Sequence, residues 1–105
     1  MSEHKVEFAN IDWTSPRVGA RFKPFGTTTR SLRLLEFDQS LDHPEWCLVG
    51  HCGIVLEGTL ELEFEHETVV YETGDGILVP CGEAHKHIPR AVTPTVKLLV
   101  VDESP

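Results

Sequence analysis

His85 and His87 are the residues whose type and spacing most directly invite chemistry. They close the stretch GDGILVPCGEAHKH, which runs from Gly74 to His87. On an extended strand, residues two apart share a face, so both imidazoles would project the same way. Imidazole is the commonest protein ligand for a transition metal. A second group stands upstream in HPEWCLVGHC, with His43, Glu45, Cys47 and His51. If His51 points inward, strand alternation puts Cys47, and further back Glu45, on the same side. His43 belongs to the loop before them. Three imidazoles with one oxygen or sulfur donor suit iron, zinc, nickel or copper, with manganese also to be tested for, rather than calcium or magnesium. The candidate ligands are therefore His51, His85, His87, His43, Glu45 and Cys47. Each has a plainer alternative: a core histidine bonded to a carbonyl, a buried small thiol, or a solvated loop group. His66 reads as a solvated turn residue.

These side chains need strands to hold them. TLELEFE, from Thr59 to Glu65, alternates Leu60, Leu62 and Phe64 with glutamates, the pattern of a half-buried strand with a charged outer face. Ile77 to Val79, Val69 to Tyr71 and SLRLLEF (Ser31 to Phe37) read as further strands, and TVKLLVVDES as the last one. CLVGHCGIVLEG is an apolar run whose Gly50 and Gly53 predict a bend or a close backbone approach. Glu57-Gly58, His66-Glu67 and Thr73 to Gly76 read as turns, and Pro89-Arg90 as a loop after His87. Trp13 with Ser15-Pro16 suggests a segment that lies on the domain and then turns. Val18 to Phe25 reads as a short edge strand interrupted by Pro24, followed by a loop at Gly26 and three threonines. No window of eleven or more residues carries a helical repeat, and turn signals recur every ~8–12 residues, so the fold class is all-β, a sandwich or barrel.

A chain of 105 residues builds one core and one domain. The formal charge of −8 argues against non-specific binding to nucleic acid or anionic lipid, and no basic cluster is present to track phosphates. No apolar run approaches the ~18–20 residues of a membrane span. The N-terminus lacks the layout of a secretory signal, and a cytoplasmic location is expected. Cys47, Cys52 and Cys81 are odd in number and form no C-x-x-C pair, so no disulfide framework is expected.

Gly74, five residues, Pro80, one residue, Gly82, two residues, His85 resembles the second conserved motif of the cupin superfamily. Pro89 stands where that motif has its asparagine. Leu56-Glu57-Gly58-Thr59-Leu60-Glu61-Leu62 resembles the end of the first motif, and the spacing between the halves also fits. The resemblance implies a double-stranded β-helix, or jelly-roll, barrel over residues 26–105, with residues 1–25 as an N-terminal arm and edge strand. It also implies a divalent transition metal inside the barrel. Counting back from Gly58 places His51 at the first motif's glutamate, while its paired histidines should fall in 43–47, where only His43, Glu45 and Cys47 offer donors. His85 matches the second-motif histidine directly, and His87 is an addition.

Three functions are compatible with the resemblance. One is a small metal-dependent enzyme acting on a small organic molecule, of dioxygenase, isomerase or lyase type, with Glu45 as a general base if it reaches the pocket; Glu57 sits at the turn. The second is a non-catalytic module that binds or senses a small molecule. The third is a structural protein whose metal only stabilises the barrel. A homodimer, paired through strands near the N-terminus, is expected under all three.

Overall fold

The computed structural model describes residues 4–26 and 30–104. Nine strands form two antiparallel sheets: β1 (Thr14–Arg17), β2 (Ala20–Gly26), β3 (Ser31–Asp38), β4 (Gly50–Glu57), β5 (Leu60–Phe64), β6 (Thr68–Tyr71), β7 (Gly76–Val79), β8 (His87–Ala91) and β9 (Thr95–Glu103). The larger sheet runs β1-β2-β3-β9-β4-β7, and the smaller runs β6-β5-β8. The only helical pieces among the described residues are 3-10 turns at Phe8–Asn10 and Glu83–His85. The all-β jelly-roll expectation holds. No helix among the described residues is long and apolar enough to cross a membrane.

Alternation decides which side chains meet between the sheets. On β9, Val96, Leu98 and Val100 point inward and are buried, and Asp102 follows on the same parity. On β4 the inward set is His51, Gly53 and Val55, and on β5 it is Leu60 and Leu62. β9 lies between β3 and β4, so its register sets both neighbours: Arg33 opposite Val100, and His51 opposite Asp102. His51 is also opposite Val79 of β7. Glu61 and Glu63 point outward from β5 and meet Arg90 at 3.5 and 2.7 Å, the charged outer face that the alternation predicts.

The two strand glycines answer to close approach. A Cβ on Gly53 would overlap the Leu99 carbonyl oxygen, and one on Gly50 would lie 2.6 Å from the Cys81 backbone nitrogen. Any side chain at either position would force the backbones apart.

Three local readings change. The segment after His87 is strand β8, not a loop. Pro89 is tolerated because β8 is an edge of the smaller sheet, where a missing N–H breaks no ladder bond. Thr14–Arg17 forms a short strand instead of a turn, and it takes the edge position that Val18 to Phe25 was expected to hold. β2 is thus interior at Ala20 and Phe22. β1 reaches only to Phe22, so β2 is an edge again at Pro24. The segment before β1 lies on the domain as anticipated: the Trp13 ring faces Arg21 at 4.1 Å and Lys23 at 4.8 Å. Of the loop expected at Gly26 and the threonines, Gly26 ends β2 and residues 27–29 lie outside the described residues.

Candidate metal centre

Between the sheets lies a cavity of about 290 Å³, and His43, Cys47, His51, His87 and Arg33 contribute its polar wall. Leu35, Phe37, Leu62 and Ile77 are among its apolar walls.

β4 brings His51 to this wall. Its Nδ1 donates to Asp102 Oδ1 at 2.8 Å, because the carboxylate can only accept, so Nε2 is left for the site. Asp102 is held in turn by Arg33, whose Nη2 donates to Oδ1 at 3.1 Å while Nε lies 2.5 Å from Oδ2. Burial works to lower the His51 pKa, but the bonds to Asp102 and Cys47 outweigh it and raise it above the ordinary histidine value. Burial likewise works to raise Asp102, while His51 and Arg33 bring it below the usual carboxylate range.

His87 opens β8 and is the one buried polar residue among those described. Its Nδ1 donates to the His85 carbonyl at 3.0 Å, which assigns the proton to Nδ1. Its Nε2 is buried and has no hydrogen-bond partner. A lone pair left bare in a protein interior is costly unless something binds it. The His87 ring lies edge-on to His51, with centroids 5.2 Å apart.

Cys47 sits before β4 in an isolated bridge to His87, with bonds of 2.8 and 3.1 Å between their backbones. The bridge brings the sulfur beside both rings. Burial works to raise the Cys47 pKa, but His51 and then His87 more than offset it, and the thiol falls to about 5. Cys47, His51 and His87 offer ligand atoms that all lie within 4.8 Å of one another. Around a tetrahedral ion with bonds of about 2.0–2.3 Å, donors stand about 3.3–3.6 Å apart. Closing in by about an ångström would therefore complete the set. With two directed imidazole nitrogens, one of them the bare His87 Nε2, and a thiolate, these residues fit a transition metal.

The other three candidates are placed differently. His85 closes the 3-10 turn at Glu83–His85, not a strand, so it does not share a face with His87. Its side chain is exposed, and what it lends the site is its carbonyl. His43 lines the cavity without joining the three-residue group, and its Nδ1 donates to the Glu45 carbonyl at 2.6 Å. Glu45 is exposed and does not line the cavity, and Glu57 is exposed at the end of β4. Sequence reasoning missed Arg33 and Asp102. The parity of Val96, Leu98, Val100 and Asp102 along β9 was a usable signal for the second.

Residues 41–102, more than half of the chain, match the cupin domain family, and the chain belongs to that family. No curated protein matches it in sequence. Among solved structures it is similar to KdgF from Halomonas sp., at 22% identity and TM-score 0.68, covering 87% of this chain and 84% of that one. It is also similar to a protein described as a cupin-superfamily sugar phosphate isomerase from Silicibacter pomeroyi, at 18% identity and TM-score 0.73, covering 93% and 74%. The iron(II) form of HppE aligns at 15% identity and TM-score 0.71, covering 98% and 62%. At these identities the likeness establishes the fold.

Proposed function

We propose that the protein is a metal-dependent cupin that holds a transition metal through Cys47 Sγ, His51 Nε2 and His87 Nε2 and acts on a small, largely apolar organic molecule in the cavity beside it. The buried, unpartnered Nε2 of His87 carries this reading. A thiolate among the donors favours zinc, copper or iron over manganese. Cys47, His51 and His87 would hold the ion, which would supply Lewis-acid chemistry, polarising a carbonyl or phosphoryl oxygen or lowering the pKa of water.

The chain's own groups have definable tasks in such a site. Asp102 fixes the tautomer and orientation of His51, and the His85 carbonyl does the same for His87. Arg33 keeps Asp102 ionised and in place. Leu35, Phe37 and Leu62 exclude water, which strengthens the electrostatic interactions within the cavity. No carboxylate is among the described residues that line the cavity, so of these His43 is the group able to move a proton without serving as a ligand.

A binding or sensing module is the second reading, supported by the same absence of a carboxylate base. Elemental analysis of protein purified without a tag or chelator tests the proposal. About one zinc, iron or copper per chain supports it. Metal near zero, with none regained on titration, contradicts it and leaves the histidines as cavity-lining groups.

A further inference from the structure

The cavity wall carries charge against the sign of the whole chain. The chain has 17 acidic residues and 9 basic ones, for a formal charge of −8. Yet the described residues that line the cavity include Arg17, Arg33 and three histidines, and no carboxylate. A cleft lined by one sign, with walls of low dielectric, focuses its field on whatever enters.

The two guanidiniums differ in what they already hold. Arg33 reaches Asp102 through Nη2 and Nε, so its charge is compensated. Arg17 ends β1 opposite Ala20, and its side chain pairs with none of the described residues. Each of the chain's other lysines and arginines has a partner, such as Glu36 for Arg21 and Glu63 for Arg90. The two also belong to different levels of the barrel. Ala20 is opposite Phe37, and Arg33 lies four residues back along β3, about 13 Å at about 3.3 Å per residue. Leu35 fills the step between them on the same inward face and lines the cavity with Phe37.

We propose that Arg17 is the specificity-determining residue of this cavity, selecting a small carboxylate whose anionic end pairs with its guanidinium while its apolar body lies along Phe37 and Leu35. This role rests on the cavity holding a small organic molecule, as proposed above, and names that molecule's class. A planar guanidinium matches a carboxylate with two parallel N–H···O bonds, and an unpaired one gives up no partner to make them. A cationic ligand would meet no carboxylate among the described lining residues, and a neutral one would leave Arg17 unused. One uncompensated guanidinium suits the single charge of a carboxylate better than the nearly double charge of a phosphate monoester. A volume of about 290 Å³ lies at the lower end of ligand pockets, which suits a short-chain or single-ring acid.

Titration of the isotope-labelled full chain with octanoate and with octan-1-ol tests it, followed by the NMR shifts of Leu35 and Phe37. Both titrations are run at low ionic strength, on protein as purified and after chelator treatment. Octanoate should bind about tenfold or more tightly than octan-1-ol, the difference that a charge-assisted bond makes. Arg17→Gln should abolish that preference while the octan-1-ol affinity and the circular dichroism are kept, since this side chain holds nothing in the fold. Arg90→Gln removes the same charge from the outer face of the smaller sheet and should keep the preference. Equal affinities in the wild type overturn the proposal. So does a preference that survives Arg17→Gln, which would assign the carboxylate to Arg33 or to a metal. Binding of neither probe overturns it together with the small-molecule role of the cavity. Metal content is measured separately, so a chain that holds metal can fail this test and one that holds none can pass it.

Discussion

His51 Nδ1 donates to Asp102 Oδ1 across 2.8 Å, from a central strand of the larger sheet to the strand paired beside it. This bond fixes the tautomer and the orientation of the imidazole. It leaves Nε2 toward Cys47 and His87, and it makes the strand register itself part of the candidate site.

Asp102→Asn should therefore weaken metal binding by about 10–100-fold while leaving the three donors in place. Competition with a chelator of known affinity reads that loss. The same change should cost about 2 kcal/mol at neutral pH in the metal-free protein, since a charge-assisted bond is lost and Arg33 is left without its partner. The pH dependence has a definite sign. The Asp102 pKa is lowered in the fold, so its contribution is complete above the unfolded value of about 3.9 and is lost as pH falls through the folded one. Urea titrations at pH 3 to 7 should show a shallower acid loss for Asp102→Asn than for wild type.

Cys47 should react as a thiolate well below the pH at which an ordinary thiol does. With the thiol at about 5, alkylation of Cys47 in metal-free protein should rise through that pH and level off above it. Peptide mapping separates it from Cys52 and Cys81. His51→Ala should move the midpoint upward, toward the unperturbed value of about 8.5. Bound zinc should suppress the reaction at every pH.

His85→Ala and His87→Ala separate two ligand sets. The motif resemblance points to His85, whereas the fold brings His87 to Cys47 and His51. His87→Ala should reduce bound metal by at least about tenfold. His85→Ala should leave it nearly unchanged, since its contribution is a backbone carbonyl. Metal content per folded chain distinguishes them.

Gly53→Ala should destabilise the domain by about 2 kcal/mol or more, because its methyl would collide with the Leu99 carbonyl on the neighbouring strand. Thermal melting against wild type measures this, and an unchanged melting temperature would mean that β4 and β9 are less closely packed than described.

Alternating patterns carried most of the fold. Leu60, Leu62 and Phe64 against three glutamates announced β5, and the close approach at Gly50 and Gly53 was legible as interruptions of an apolar run. Strands β1 and β8 were not legible. Each contains a proline, which is tolerated only because edge strands have a side without ladder bonds, and which strand is an edge is a property of the whole sheet. The site was partly legible. His51, His87 and Cys47 stood out by type and spacing. The placement of His85 apart from Cys47, His51 and His87 follows from a 3-10 turn that ends at His85, with Lys86 between it and β8, a break that takes His85 off the strand alternation. Arg33 and Asp102 become partners only because β3 and β9 pair, though 69 residues separate them.

The most direct test of the central claim is a cobalt(II) titration of metal-free protein, followed by absorbance. Binding at one ion per chain should bring up a thiolate-to-cobalt charge-transfer band together with visible bands of tetrahedral intensity. The charge-transfer band should vanish in Cys47→Ala, and both sets in His87→Ala. No saturable spectrum, or a charge-transfer band that persists without Cys47, would contradict a metal centre built from Cys47, His51 and His87.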